Sequence, residues 1–467
     1  MRSIKTPNIL FVAHHPISGE WIGGIEVYLA TISKALSKQY GVFIYTPKMD
    51  ANGLASQIVD SNGKLVREIA YSAPYSNWQL TSPEREKAFA EILDVLDIEL
   101  VHFHHLAGHP PSLITVANQK GVPTVFSAHD FFSICHVSNL INDKGDYCDP
   151  ATLTLKQCDS CLSNAYGILP GSQSKRRNAW RDLIASCNAL IFNTQSSLDL
   201  IAALYPEINQ HPKQYFAPVP IPPIRKIEKQ SVQPSPLKIA VMGNFLHHKG
   251  ADTILSAMKA LKDEAIEFHV FGTVEAPYLE QIRPLEQHSV WLHGAYSAEN
   301  LPAALWDCQV SLHVSIWPET YCLTLSEAST IGLVPVVTDI GALGERVTQG
   351  INGLKMDVGS VEQLCTALRE LSNSPSKLLQ LKNSAVPVPC AQLSEHLLIL
   401  HEVYAFLIGK TERVAHPEIG TEYLSSQDKP IPIHWASFPQ QKPISKSGLK
   451  KYPILTSIKA VLGRVLR

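Results

Sequence analysis

From residue 8 onward, short apolar runs recur with helix-length stretches between them, and this rhythm narrows the fold more than any other property of the chain. NILFVAHH (8–15), VFIYTP (42–47), LVHFHH (100–105), PTVFSAHD (123–130) and ALIFNTQ (189–195) are apolar at successive positions. A strand with one wet face alternates apolar and polar residues; a strand covered by helices on both faces does not. The runs therefore predict a parallel sheet built from βαβ units. The segments between them read as helices, among them EVYLATISKALSK, and PEREKAFAEILDVL with Ser82 as N-cap and Pro83 at N1.

The rhythm breaks once. APVPIPPIRKIEKQSVQPSPL (217–237) has six prolines and no periodicity, the composition of a linker. It restarts at KIAVMGNF (238–245) and continues through EFHVFGT, VWLHGAY, CQVSLHVS and VPVVTD (334–339). The expected organisation is an N-terminal Rossmann-like domain (1–222) with a cysteine-rich insert (131–165), a linker (223–237), and a second Rossmann-like domain (238–393). A closing helix capped by Ser394 follows (394–410) and packs back on the first domain, and then a Pro/Ser-rich basic tail (411–467). A chain of 467 residues, 45% hydrophobic and 18% charged, can bury two such cores. A formal net charge of −2 gives no whole-chain electrostatic case for nucleic acid. The N-terminus lacks the pattern of a signal peptide and no run of about 18 apolar residues occurs. The expectation is a cytoplasmic protein with reduced thiols.

The densest motif is PETYCLTLSEASTIGLVPVVTDIGALGE (318–345). Glu319 stands just before a helix and Glu327 inside its first turns. A carboxylate accepts two hydroxyl hydrogens and so suits a vicinal diol. Backbone N–H groups near Leu323, Thr324 and Leu325 would meet a diphosphate at the helix start. A second motif, VMGNFLHHKGADTIL (241–255), has a turn at Gly243 and a lysine, Lys249, opening a helix. A third, GEWIGGIEVYL, puts Gly23 and Gly24 after the first strand, and SAHD places His129 at a strand's carboxyl end, where open parallel sheets hold ligand groups.

These motifs together resemble the retaining glycosyltransferases of the GT4-type, or group 1, family, over about residues 8–410. The resemblance implies the GT-B fold: α/β, two Rossmann-like doubly wound parallel-sheet domains facing across a cleft. It implies that Glu319 contacts the donor sugar and Glu327 the ribose hydroxyls, that Lys249 neutralises the departing diphosphate, and that His129 hydrogen-bonds the transferred sugar. Gly23, Gly24, Gly243, Asn244, Leu323 and Thr324 complete the implied nucleotide-sugar site. Asn244 departs from the pattern, which has arginine there; it can donate a hydrogen bond but carries no charge. His247 or His248 could add charge if protonated. His102, His104 and His105 read as strand-end packing or acceptor-side residues rather than catalytic ones.

The resemblance further implies front-face departure of the leaving group, a glycan or lipid-linked glycan acceptor in surface polysaccharide biosynthesis, and no cofactor for catalysis; no Asp-x-Asp motif occurs. A GT-B-fold nucleotide-sugar epimerase and a catalytically weak nucleotide-sugar-binding scaffold are the competing readings. Cys135, Cys148, Cys158 and Cys161 form C-x12-C-x9-C-x2-C, which either closes a tetrahedral structural zinc site or stays as free thiols. After Asp428 there are eight Lys/Arg and no acid, and Ile454, Leu455, Ile458, Val461, Leu462, Val465 and Leu466 make one helical stripe. That stripe (in 446–467) either lies on an anionic membrane surface or packs on protein.

Overall fold

The computed structural model describes residues 6–17, 23–48, 54–224 and 235–409. The basic tail, the middle of the Pro-rich linker and residues 18–22 of the glycine loop lie outside the described residues. Two sheets organise the rest, both within one compact unit.

The first sheet contains β1 (Asn8–Val12), β2 (Gly41–Pro47), β3 (Ala55–Asp60), β4 (Leu65–Ala70), β5 (Ile98–Phe103), β6 (Thr124–Ala128), β7 (Ala189–Phe192) and β8 (Gln214–Phe216). Their order is β4-β3-β2-β1-β5-β6-β7-β8. Only the β2–β3 and β3–β4 pairs are antiparallel. The β3–β4 hairpin escaped the βα reading because its outer strand, LVREIA, is exposed and charged. Asp60 shapes its turn by accepting from the N–H groups of Asn62 (2.8 Å) and Lys64 (3.0 Å), with Gly63 at φ +79. Charged residues on an edge strand also discourage pairing with another sheet.

The second sheet contains β9 (Leu237–Met242), β10 (Ile266–Phe271), β11 (Val290–Gly294), β12 (Val310–His313), β13 (Val334–Thr338) and β14 (Leu354–Met356). All pairs are parallel, in the order β11-β10-β9-β12-β13-β14. Counted from β9 this is 3-2-1-4-5-6, the order whose reversal opens a ligand crevice beyond the carboxyl ends of its first and fourth strands.

Both sheets are covered on two faces, as unbroken apolar strands require. Leu10 and Val12 enter one N-terminal core, and Ile9, Phe11 and Ala13 the other. Ile239 and Val241 against Ala240 and Met242 divide the second sheet likewise. The N-terminal helices are α1 (Gly24–Leu36), α2 (Pro83–Val95), α3 (Leu113–Gln119), α4 (Leu155–Tyr166), α5 (Ser172–Ala185) and α6 (Gln195–Ala202). Those after the linker are α7 (Ala251–Ala260), α8 (Ala276–Ile282), α9 (Ala303–Trp306), α10 (Leu323–Thr330), α11 (Gly341–Arg346), α12 (Val361–Asn373), α13 (Pro375–Lys382) and α14 (Leu393–Ile408).

Two expected caps differ. Ser82 sits at the N-cap of α2 without a side-chain bond; instead Glu86 accepts the Ser82 N–H at 2.8 Å. In α14 the cap position is Gln392, and Ser394 lies inside the first turn.

Helix α14 crosses back to the first sheet. Leu400, Val403, Tyr404 and Leu407 are buried among Ile9, Phe11, Ile32 and Leu100. Each such side chain contributes about 1.5–3 kcal/mol by burial. Tyr404 Oη meets His102 Nδ1 at 2.7 Å, and His102 Nε2 meets Ser127 Oγ at 2.7 Å, so this histidine spends both nitrogens on packing. No described helix is long and apolar enough to cross a membrane.

Candidate active site

After β9 the chain turns at Gly243 (φ +92), enters a 3-10 turn at His247–Lys249, and starts α7 at Gly250 (φ +83). A side chain at Gly250 would meet the Val314 carbonyl oxygen at 2.0 Å, so glycine lets this loop lie against the end of β12. Lys249 thereby reaches across the crevice to the segment after β12. Its Nζ pairs with Glu319 Oε1 at 2.9 Å, and Ser315 Oγ donates to the same carboxylate.

Burial alone would raise Glu319, but Lys249 and Ser315 outweigh it and hold the carboxyl below its usual range. Burial likewise opposes the ammonium of Lys249, and Glu319 reverses that, leaving it above the usual lysine range. Each partner thus favours the charged form of the other. One cavity at this switch point is lined by Gly243, Asn244, Lys249, Glu319, Cys322 and Thr324, among others.

Helix α10 begins after Cys322, which has φ +69, a strained conformation for a residue with a Cβ. The Leu325 N–H is directed at the Cys322 sulfur. Thr324 Oγ1 lies 3.3 Å from His313 Nδ1, and burial holds His313 neutral, near a pKa of about 3. One turn into α10, Glu327 is 6% exposed and accepts from Tyr296 Oη at 2.6 Å. Burial raises its carboxyl to about 7. Asn244 gives its oxygen to Thr273 Oγ1 (2.7 Å), leaving the amide N–H2 as the end available to a ligand.

The first sheet supplies the opposite wall. Thr320, next to Glu319, donates from Oγ1 to the backbone oxygen of His129 at 2.6 Å, which brings His129 to the carboxyl end of the second sheet. His129 Nε2 lies 3.0 Å from His104 Nδ1, and burial lowers its pKa to about 3, so the ring is neutral. His105 accepts from the Ala107 N–H at Nδ1 (3.0 Å), so its Nε2 carries the proton donated to Asp130 at 2.7 Å. His102, His104 and His105 are thus 0%, 2% and 5% exposed, and pack as strand-end residues. Gly24 packs near Leu323 across the seam, and the Gly23 N–H is taken by Glu26 Oε2 at 2.7 Å.

Several participants had no role assigned to them from the sequence. Trp317 packs with the first core, edge-on to Phe131, with Lys249 Nζ 5.7 Å from its ring centroid. Glu345 accepts from the N–H groups of Gln195 (3.1 Å) and Ser196 (2.8 Å), capping α6 from the other side of the seam. Glu26, 2% exposed with one oxygen unpartnered, faces His14 at 3.7 Å. Of the two histidines beside Lys249, His248 is held neutral near a pKa of about 3 by burial and then by Lys249.

The sequence leaves the cysteine insert open between a structural zinc site and free thiols. Cys135, Cys148, Cys158 and Cys161 gather in the insert, but among the described residues no group of three or more His, Cys, Asp and Glu side chains is placed to hold a metal ion. Their sulfurs take hydrogen-bond donors instead. Asp143 N–H reaches Cys161 at 3.3 Å and Arg177 Nη2 reaches Cys158 at 3.5 Å. Burial, then the neighbouring thiols, raises Cys148 to about 12, and burial raises Cys161 to about 11, so these are protonated thiols.

Comparison with known proteins bears on the whole arrangement. Residues 22–211 match the model of Glycosyltransferase Family 4, and residues 224–386 that of Glycosyl transferases group 1. The chain belongs to the group 1 glycosyltransferases. The GT-B fold is shared with HepE of Anabaena, solved in complex with UDP (TM-score 0.53, 14% identity, 86% of this chain and 97% of that one). It is also shared with sucrose-phosphate synthase of Thermosynechococcus elongatus (TM-score 0.60, 14% identity, 86% and 99%). A human relative, one of the subunits of phosphatidylinositol N-acetylglucosaminyltransferase, is 21% identical over 379 residues, 79% of this chain and 68% of that protein. In the glycosyltransferase, Lys249, Glu319 and Thr324 gather at one switch point and His129 approaches from the facing sheet, while Glu327 lies a turn deeper in α10.

Proposed function

We propose that the glycosyltransferase moves a sugar from a nucleotide-sugar donor to a hydroxyl of a glycan or lipid-linked glycan, with retention of configuration, in surface polysaccharide biosynthesis. The observation that carries this reading is the Lys249–Glu319 pair at the carboxyl ends of β9 and β12, beside the start of α10. A diphosphate there would take N–H groups from Leu323 and Thr324 and the charge of Lys249. Glu327 would accept both ribose hydroxyls, and Glu319 a hydroxyl of the donor sugar. That HepE binds UDP and UDP-glucose supports a nucleotide donor for this fold.

In the transfer the bond from the anomeric carbon to the phosphate oxygen breaks, the acceptor oxygen bonds to the same face, and the leaving phosphate oxygen takes the acceptor's proton. Lys249 stabilises the charge as it grows, and neutral His129 hydrogen-bonds the sugar hydroxyl without exchanging a proton. Asp130 is unsuited to act as a nucleophile, because His105 and the Phe132 N–H hold both its oxygens. No cofactor enters this scheme.

The human relative favours a second acceptor, an inositol phospholipid taking N-acetylglucosamine. Either lipid-borne acceptor would place the enzyme at the inner face of a membrane. A thermal-shift screen with UDP-, GDP-, ADP-, dTDP- and CMP-sugars tests the donor reading. One nucleotide should raise Tm in the parent and fail to do so in Glu327→Ala. Equal shifts in both would overturn the site, and no shift with any donor would count against a nucleotide-sugar donor from this panel.

A further inference from the structure

His247 stands two residues before Lys249 and is held from two sides. Its Nδ1 faces Asp252 of α7, and its Nε2 lies 2.7 Å from the carbonyl oxygen of Gly145 in the cysteine insert. A carboxylate and a carbonyl oxygen can only accept. Both ring nitrogens must therefore carry hydrogen, and the ring in this contact is an imidazolium. A neutral ring would set a lone pair against one of the two oxygens.

The acceptors are themselves fixed. Gly145 (φ +91) sits in a tight turn that Asn142 ties by accepting from the N–H groups of Lys144 (2.8 Å) and Asp146 (3.0 Å). Asp252 also accepts from Tyr278 Oη at 3.2 Å. The charged and titratable groups around the ring are Asp252 and Tyr278 below it, Asp146 from the insert, Glu275 from the cap of α8, and His248 and Lys249 on its own turn. The acids dominate this set. Although burial disfavours the charge, Asp252 and the Gly145 carbonyl outweigh it and raise the ring above the usual histidine range.

We propose that His247 is a positioning residue for Lys249, strapping the insert's 142–147 turn to the loop that carries this lysine only while both ring nitrogens are protonated. The proposal rests on the reading of Lys249 as the group that meets the leaving diphosphate. A histidine raised in the folded state contributes fully below its unfolded pKa, and the contribution is lost as pH rises through the folded value. The strap is closed below the usual histidine range and released as pH rises through the ring's raised value. Released, the loop keeps its fold but loses its hold on the facing domain.

Two readouts on the full chain test this, with parent, His247→Ala and His247→Arg, the last keeping N–H donors and a permanent charge. The first is hydrogen–deuterium exchange of residues 138–148 at pH 6 and pH 9, corrected for chemical exchange. The parent should be protected at pH 6 and lose protection at pH 9, His247→Ala unprotected at both, and His247→Arg protected at both. The second is the pH profile of nucleotide release from the nucleotide-sugar that the thermal-shift screen selects. His247→Ala should lose about tenfold in kcat at pH 6.5 with KM for the donor within about twofold, the effect of one charged hydrogen bond acting on geometry. His247→Arg should remove the alkaline fall. Identical exchange in parent and His247→Ala at pH 6, or an unchanged pH profile in His247→Ala, would overturn the strap. Absence of nucleotide release from the parent with any sugar of the panel would count against the donor reading, and the exchange pattern would then decide the strap by itself.

Discussion

Glu327 is a buried carboxyl whose ionisation opposes folding, and replacing it should separate stability from function. In Glu327→Gln the amide keeps the shape and can still accept from Tyr296. Burial moves the carboxyl from 4.5 to about 7. A raised acid favours folding when protonated, so its contribution is present below the unfolded pKa of 4.5 and is lost as pH rises through about 7. At pH 8.5 the parent carries nearly the whole penalty, about 3 kcal/mol at ~1.4 kcal/mol per pH unit. At pH 5 less than about 1 kcal/mol remains, because the folded carboxyl is already neutral. Glu327→Gln should therefore melt higher than the parent at pH 8.5, by roughly 5–10 °C if the C-terminal sheet unfolds as a unit of ordinary domain size, and nearly level with it at pH 5. Differential scanning fluorimetry without ligand reads this directly. The same variant should bind the nucleotide sugar more weakly, since an amide accepts at one atom where the carboxylate accepts at two. A Tm at pH 8.5 no higher than the parent's, or a gain of equal size at both pH values, would refute the reasoning.

Lys249→Met should slow turnover by about 100-fold or more. It should also lower Tm by leaving Glu319 buried without its cation, and Lys249→Met/Glu319→Gln should recover part of that loss; melting curves of the two variants check the order. Glu345→Ala removes a cap on α6 and should cost about 1 kcal/mol, read as a few degrees in Tm, while raising the donor KM more than it lowers kcat. Tyr404→Phe should cost about 1–2 kcal/mol in urea unfolding, because it orphans a nitrogen of buried His102, and leave kcat untouched.

The alternation of apolar runs announced both sheets because each covered strand, such as Leu10–Val12 or Ile239–Val241, has apolar partners on two faces. It did not announce Leu65–Ala70, where Arg67 and Glu68 sit on an open edge, nor the three-residue strands, too short to show a period. At the site, Glu319 and Glu327 sit on one continuous segment, the loop before α10 and α10 itself, and a local feature of that kind shows in sequence. Tyr296, from the loop after β11, meets the site only through the fold, while Ser315 and Trp317 share the loop that carries Glu319 but lie just outside the motif. For the same reason, cysteine spacing did not choose between zinc and free thiols. It constrains distance along the chain, whereas tetrahedral ligation is set by where Cys135 and Cys148 pack against the N-terminal core. The histidines beside Lys249 were equally open, since only the partners of His247 and His248 decide which of them holds a proton.

The bond from Glu345 to α6 joins the two halves through main-chain N–H groups, not through a partner side chain. Gln195 and Ser196 could be exchanged for almost any residue other than proline without breaking it. Parting the halves would return both the carboxylate and the helix end to water, where each finds a replacement bond. The seam would then hold with a net energy of about 1 kcal/mol at this point, small enough for a ligand's preference between parted and joined states to tip it. A latch of this kind fixes the angle at which the halves meet while leaving the decision to meet with whatever occupies the cleft.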